Sequence, residues 1–290
     1  MEIWDDIKQT FKEGSALTRL IYINLGVFIV IKLVGVLFYL IGQPLPLVRW
    51  FSVPSDLGAL LRRPWTPVTY MFLHTGFLHL IFNVLGLYWF GKLFLYRFEG
   101  EKLLSVYLLG GFAGALLYVL AYNIFPAFSM VNALLLGASA SVFAILVAIA
   151  TYDPQREIHL FFIGRFPLKY IAAFYVLLSV ISISASNPGG NIAHVGGAVW
   201  GWFYIAQLRK GKDWGAGLIE AIGKMESWFK PKKRMKVSFK QQTPPRDDYD
   251  YNRMKNEQQE EINRILEKIA KSGYEKLTKE EKEILFRQGK

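Results

Sequence analysis

Residues 103–124 read LLSVYLLGGFAGALLYVLAYNI, a run of 22 positions without a charged side chain. A helix of about 20 apolar residues crosses the ~30 Å hydrocarbon core of a bilayer, so this run predicts a transmembrane helix. Five other apolar runs of similar length flank it: residues 20–41, 78–96, 131–152, 166–184 and 192–208, of which the first, second and fourth each contain one lysine. The sequence therefore predicts an all-α polytopic membrane protein, with a bundle of six transmembrane helices and a small helical cytoplasmic tail.

The distribution of charge predicts the orientation of this bundle. Of the 34 Lys and Arg residues in the 290-residue chain, 21 lie in residues 209–290. Basic residues accumulate on the cytoplasmic side of membrane proteins. We therefore expect an integral multi-pass protein of a bacterial cell (inner) membrane, with its N- and C-termini cytoplasmic. The same asymmetry accounts for the net charge of +11 without a nucleic-acid partner. The chain has no cysteine, which excludes disulfide scaffolds, thiolate metal sites and a cysteine nucleophile.

Five segments are predicted along the chain. They are a cytoplasmic N-terminal segment (1–19), the six-helix membrane domain (20–208), an interfacial amphipathic helix with a basic segment (209–236), a linker (237–258) and a small cytoplasmic helical hairpin (259–290).

The tail carries two local signals. An apolar stripe at helical spacing precedes a basic cluster, which predicts a helix lying on the lipid bilayer with its basic end facing anionic headgroups. The stripe consists of Trp214, Leu218, Ile219, Ile222, Met225, Trp228 and Phe229. Thr278 and Glu281 form a capping box ahead of the last helix. The hairpin is too small to bury much of a core, so we expect it to dock an unknown partner.

Polar side chains inside apolar spans are costly and therefore indicate function. Counting 1.5 Å per residue from the cytoplasmic ends of their spans puts Asn83, Ser139 and His194 about 21 Å above those ends, at one depth. His79 lies one turn from Asn83 on the same helix face, and His74 is expected near the outer surface. Three spans thus bring polar groups to one level of the membrane.

A serine and an imidazole at one depth suit nucleophilic catalysis. The hydroxyl becomes a nucleophile when the imidazole takes its proton, and hydrogen-bond donors must then face the developing oxyanion. No span contains a carboxylate, so the prediction is a Ser–His dyad. Gly197 and Gly201 provide the spacing that lets two helices approach closely. Alternatives remain: a serine bonded to its own helix, glycines that serve packing alone, or a histidine pair that binds metal. We expect no metal and no cofactor, because His74 and His79 do not share a helix face.

The combined motifs resemble the rhomboid family of intramembrane serine proteases over about residues 15–210. The motifs are His74-x4-His79-x3-Asn83, Gly137-Ala-Ser139 and Ala193-His194-x2-Gly197-x3-Gly201. The resemblance implies that Ser139 is the nucleophile and His194 the general base. It further implies an oxyanion hole formed by His79, Asn83 and the Ser139 N–H, with Gly137 at the preceding turn and Phe143 stacked on the histidine. The first connection (42–77) would be a half-submerged loop, and the fifth span a substrate gate.

The resemblance predicts an endopeptidase that cleaves transmembrane helices of membrane-protein substrates. Ala140 departs from the glycine that commonly follows the nucleophile in the family, and its methyl is expected to need space beside the sixth span. The alternative is therefore a catalytically inactive rhomboid-like protein that binds or routes membrane clients. A transporter or channel is disfavoured, because the polar residues stop at one depth instead of lining a path.

Overall fold

The computed structural model describes residues 2–160, 164–229 and 248–288, and divides into two compact units, Met1–Pro231 and Lys232–Lys290. In chain order the first unit contains α1 (Glu2–Glu13), α2 (Ala16–Leu40), α3 (Leu47–Phe51), β1 (Val53–Pro54), α4 (Leu57–Arg62), α5 (Thr66–Thr69), α6 (Phe77–Leu95), α7 (Gly100–Ile124), β2 (Leu134–Leu135), α8 (Ser139–Tyr152), β3 (Glu157–Leu160), β4 (Gly164–Pro167), α9 (Leu168–Ser182), α10 (Pro188–Leu208) and α11 (Ala216–Phe229). Short 3₁₀ turns follow α5 and α7, at Tyr70–Phe72 and Pro126–Phe128.

The membrane-length helices agree only in part with the predicted spans. Within the described residues, α2, α6 and α7 are long and apolar enough to cross a membrane. Helices α8 and α9 are apolar but have only 14 and 15 residues. The predicted fourth span starts too early, since residues 131–138 form β2 and a turn instead of helix. The protein is mostly helical, as predicted, and the count of six crossings stays a prediction.

Helix α10 forms the centre of the bundle, packed against α7 and α8. Its glycines face main-chain atoms: a Cβ added at Gly197 would overlap the carbonyl of Ala140, and one at Gly201 would overlap that of Ala144. Small residues at this spacing let helix backbones approach closely in membranes. The sequence spacing of the two glycines therefore corresponds to a real close approach of α10 to α8.

The first long connection is built into the fold and does not lie free. Strand β1 pairs antiparallel with β2, with Val53 opposite Leu135. The Ser55 hydroxyl donates to the Val131 carbonyl at 3.2 Å and accepts from the Ala133 N–H at 3.1 Å. Neither strand is predicted from the sequence, because a strand of two residues is too short to show an alternating pattern. The pairing holds the segment just before α8 in place.

The C-terminal ends of α6, α8 and α10 lie together. Beyond α6, Arg97 forms a 3.2 Å ion pair with Asp153, the residue that follows α8. Arg209, at the end of α10, donates to the main-chain carbonyls of Thr151 and Tyr152. Because these ends lie together, the distance of a residue from the end of one helix can be compared with the same distance in the other two.

Helix α10 begins earlier than the sixth predicted span. Asn187 adopts a left-handed conformation (φ 46°) and its side chain accepts from the Gly190 N–H at 3.2 Å. Pro188 follows at the first helical position, where its missing N–H costs nothing. The cap and the proline start the helix four residues before Ile192. Similarly α11 begins at Ala216, so Trp214 of the predicted stripe precedes the helix.

The second unit is a helical hairpin of α12 (Asp248–Ser272) and α13 (Lys279–Gln288). The capping box is present: the Thr278 N–H donates to a Glu281 carboxylate oxygen at 2.7 Å, and the Glu281 N–H donates to the Thr278 hydroxyl at 3.3 Å. The hydrogen bond from Lys268, helped by that from Thr278, lowers the pKa of Glu281. The predicted linker is wrong over residues 248–258, which belong to α12. Its remainder and the basic segment (230–236) lie outside the described residues.

Candidate active site

Ser139 is the first residue of α8, and a tight turn places it there. Gly137 has φ 117°, a conformation that L side chains rarely adopt, and its N–H donates to the Tyr70 carbonyl at 2.9 Å. A Cβ at this position would lie 2.7 Å from the His79 ring. The first N–H groups of a helix lack partners within the helix, so the Ser139 hydroxyl lies beside unsatisfied donors.

His194 of α10 is within hydrogen-bond distance of the serine. Its Nε2 lies 2.8 Å from the Ser139 Oγ. Phe143, one turn after Ser139, stacks on the imidazole with ring centroids 4.3 Å apart and an interplanar angle of 11°. The ring is thus held flat against α8 with one nitrogen directed at the hydroxyl.

Ser179 of α9 contacts the other imidazole nitrogen. Its Oγ lies 3.2 Å from His194 Nδ1 and also donates to the Tyr175 carbonyl at 3.0 Å. The side chain is buried, with 4% of its surface exposed. Ser179 could not be recognised as a site residue from the sequence, because a single serine in an apolar run has no spacing that relates it to a histidine on another helix.

His79 and Asn83 lie on α6 beside the turn. The Asn83 side chain is buried and its Nδ2 donates to the His79 carbonyl at 2.8 Å. An amide nitrogen carries two hydrogens, so one N–H of Asn83 is still available. His79 is brought directly against Gly137, whereas Asn83 lies one turn further along α6.

His74 is completely buried inside the protein. Burial does not measure depth in a membrane, so its position near the outer surface stays a prediction. The Ala138 N–H donates to its Nε2 at 3.4 Å, and its Nδ1 lies 3.4 Å from the Phe72 carbonyl. The 3₁₀ turn before His74 directs its ring inward, edge-on to His79 at 5.1 Å. His74 therefore connects the first loop to the turn that precedes the serine. In the described part of the chain, no three His, Cys, Asp or Glu side chains group as a metal site would require.

Comparison with known proteins identifies the family. The rhomboid domain matches residues 61–211, just over half of the chain. The chain belongs to the rhomboid family. A family of unknown function (DUF6576) matches residues 247–288, which include both helices of the hairpin.

Two plant rhomboid relatives come from Arabidopsis thaliana. RHOMBOID-like protein 12, mitochondrial, is 26% identical over 220 residues, which cover 72% of this chain and 63% of the relative. RHOMBOID-like protein 7 is 26% identical over 170 residues, which cover 52% of this chain and 47% of the relative. The chain therefore spans less than two thirds of the length of either relative.

Ala140 meets a different neighbour in this rhomboid from the one expected. Its buried methyl faces α7, where a Cβ added at Gly114 would lie 2.6 Å from it. The Ala140 carbonyl, not its side chain, faces Gly197 on α10. The expectation that the methyl must be accommodated beside the sixth span is therefore wrong. Gly114 provides the space, and the contact between α8 and α10 does not depend on the residue-140 side chain.

Proposed function

We propose that this rhomboid is an intramembrane serine endopeptidase that cleaves transmembrane helices of membrane-protein substrates. The observation that carries the proposal is the 2.8 Å distance from Ser139 Oγ to His194 Nε2, inside a bundle of apolar helices. A hydroxyl in contact with an imidazole can lose its proton as it attacks a carbonyl carbon.

The reaction divides into two proton-balanced halves. In the first, Ser139 Oγ bonds to the scissile carbonyl carbon while its proton passes to His194 Nε2. The tetrahedral intermediate then collapses, the C–N bond breaks, and the imidazolium returns the proton to the leaving amine. In the second, a water oxygen bonds to the acyl carbonyl carbon while its proton passes to His194 Nε2. The ester C–O bond to Ser139 then breaks, and the imidazolium returns the proton to Ser139 Oγ.

Hydrogen-bond donors near Ser139 support the oxyanion of both tetrahedral intermediates. The Ser139 N–H at the start of α8 is one, and the positive end of the helix dipole adds to it. The second N–H of Asn83 and the His79 ring beside Gly137 are the side-chain candidates. Donors that are already oriented need no reorganisation as negative charge develops.

Asn83→Ala is expected to lower kcat about 10-fold to 100-fold with little change in KM. The amide would act mainly on the transition state, and the loss is below that of a dominant donor because the other two remain. Steady-state cleavage of a transmembrane test substrate in detergent measures both constants. Asn83→Asp is a control for the volume of the side chain: it keeps the size but loses both N–H donors, so it should lower kcat at least as much as Asn83→Ala. A change confined to KM would assign Asn83 to substrate binding or helix packing.

The proposed topology has six transmembrane helices and cytoplasmic termini. Three helices of membrane length support it, as do the clustered ends of α6, α8 and α10. The bilayer surrounds the bundle, and substrates are proposed to enter past α9, whose outer residues Phe174, Leu177 and Ile181 are about 60% exposed. A bacterial cell membrane stays a prediction, and the mitochondrial label belongs to the plant relative alone.

Labelling with a fluorophosphonate probe in detergent tests the proposal directly. The probe phosphonylates an activated serine, so the wild type should label at one residue and Ser139→Ala should not. Peptide mapping of the modified site distinguishes Ser139 from other serines. A folded wild type that resists labelling and leaves substrate intact would favour the inactive, client-binding alternative.

Deleting residues 238–290 is expected to leave proteolysis within about twofold of the full chain, since every proposed chemical group precedes Leu208. The truncated protein should also label at the same rate, and membrane insertion is checked by alkaline extraction. If the inserted truncation lost activity, the hairpin would have to take part in the active state.

A further inference from the structure

We propose that Ser179 is a positioning residue that sets the tautomer of His194 through its hydroxyl. This inference rests on the proposed function, because it concerns the base of the same reaction. Ser179 lies on α9, whereas Ser139 begins α8 and His194 lies on α10, so the site requires three helices instead of two.

The hydrogen bonds determine which nitrogen of the His194 imidazole carries the hydrogen. A neutral imidazole carries one N–H, and its other nitrogen accepts. For Nε2 to take the Ser139 proton, Nδ1 must carry the hydrogen and needs an acceptor. The Ser179 oxygen, 3.2 Å from Nδ1, can be that acceptor.

The Ser179 hydrogen has its own partner, which makes the arrangement directional. It donates to the Tyr175 carbonyl at 3.0 Å, one turn earlier in α9. A carbonyl can only accept, so this bond directs the lone pairs of the hydroxyl towards His194. All three hydrogen bonds then point in one direction: Ser139 donates to Nε2, the Nδ1–H donates to the Ser179 oxygen, and the Ser179 hydroxyl donates to the Tyr175 carbonyl.

The simpler explanation is that the Ser179 hydroxyl serves only its hydrogen bond within α9, and two observations argue against it. Ser179 is 4% exposed, whereas the flanking Leu178 and Val180 are nearly half exposed, so the hydroxyl lies on the face turned into the bundle. Back-bonding to Tyr175 uses the hydrogen but leaves the oxygen lone pairs, and these meet an imidazole nitrogen.

The same hydroxyl suits the charged state of the base. After proton transfer both imidazole nitrogens donate, one to Ser139 and the other to Ser179. Hydrogen bonds from a charged donor are stronger than neutral ones, so the contact with Ser179 strengthens as the transition state forms. An interaction that strengthens in the transition state raises kcat and leaves KM nearly unchanged.

Helix α9 supports the imidazole from a second side. Tyr175 packs edge-on against Phe143, with centroids 6.2 Å apart and an interplanar angle of 85°. Phe143 in turn stacks on His194. Ser179 and Tyr175, one turn apart on α9, therefore fix two properties of the His194 ring. Ser179 fixes which nitrogen carries the hydrogen, and Tyr175, through Phe143, fixes the plane of the ring.

The test compares Ser179→Ala with Ser179→Thr, which retains the hydroxyl. Ser182→Ala is the matched control: it removes a hydroxyl one turn further along α9, while the Ser182 carbonyl that accepts from Asn191 stays in place. In full-length protein in detergent, Ser179→Ala should lower kcat and the fluorophosphonate labelling rate about tenfold with KM unchanged. Ser179→Thr should recover most of both rates, and Ser182→Ala should match the wild type.

A spectroscopic readout separates this proposal from the proposed function. In protein with ¹⁵N-labelled histidine, the resonances of His194, assigned by their loss in His194→Ala, should show the Nδ1–H tautomer. Ser179→Ala should show a mixture of tautomers. This readout needs no turnover. A wild type that fails to label would overturn the proposed function, yet the tautomer shift would still support Ser179.

Two results would overturn the assignment of Ser179. One is wild-type kcat and tautomer in Ser179→Ala. The other is an equal loss of activity in Ser182→Ala, which would indicate general damage to α9. If Ser179→Ala does not fold, Ser179→Cys, which keeps the volume but weakens the acceptor, replaces it in both measurements with the same expected direction.

Discussion

Ser139→Ala and His194→Ala should each lower proteolysis by at least about 10⁴-fold while the protein stays folded and inserted. The first removes the atom that bonds to the substrate, and the second removes the group that takes its proton across 2.8 Å. Residues that act as one unit are not additive, so the double variant should be no slower than either single one. Cleavage of a transmembrane test substrate measures the rates.

Ser141→Ala is the matched control for this prediction. Ser141 lies on the same helix two residues after Ser139, is completely buried, and has no hydrogen-bond partner for its hydroxyl within the described residues. It should keep wild-type cleavage. Wild-type activity in either dyad variant, or a double variant much slower than both single ones, would refute the Ser–His assignment.

Gly197→Ala should produce the largest loss of stability of any single methyl added to the bundle. The new Cβ would overlap the main-chain carbonyl of Ala140, and a helix backbone cannot move aside as a flexible side chain can. Overpacking of this kind costs about 1–3 kcal/mol or more. Separating α10 from α8 would also lengthen the contact between Ser139 and His194. We expect a lower unfolding temperature in detergent and a fluorophosphonate labelling rate reduced at least about 100-fold.

Gly26→Ala is the control, because Gly26 does not face a main-chain carbonyl of another helix as Gly197 does. Gly26 lies within α2, and a Cβ added there meets nothing within 4 Å. Alanine is favoured over glycine by up to about 1 kcal/mol in a helix, so this variant should be neutral or slightly more stable. An unfolding temperature for Gly197→Ala equal to that of Gly26→Ala would show that the close approach carries no energetic weight.

Ala140 provides the contrast on the other side of the same helix. Because its methyl faces Gly114 of α7, Ala140→Gly should leave the dyad and its labelling rate nearly unchanged. Ala140→Val should fail, since the larger side chain would enter the space left by Gly114. Rescue of an inert wild type by Ala140→Gly would instead identify the methyl as the cause of inactivity and favour the client-binding alternative.

Features that depend on neighbouring residues in the chain could be predicted from the sequence. The long helices follow from long apolar runs with few charged residues, since a lipid-exposed backbone must satisfy its hydrogen bonds within the segment. The capping box at Thr278 and Glu281 involves residues three apart, which the sequence places together. The polar residues of the site could be found because an imidazole, amide or hydroxyl in an apolar run stands out, and the fixed rise per residue gives their distance from the end of each helix.

Features that depend on how distant segments pack could only be seen in the tertiary structure. The rise of a helix sets the depth of a residue, but its direction around the axis and its neighbour are set by packing. Thus Ser179 and His194 could not be paired in advance, the methyl of Ala140 faces α7 instead of α10, and His74 is buried because β1 and a 3₁₀ turn fold the first loop against the start of α8. Hydrogen bonding and hydrophobicity within each segment thus specified the helices and the distance of each polar group from the end of its helix. Contacts between residues far apart in sequence decided which groups meet.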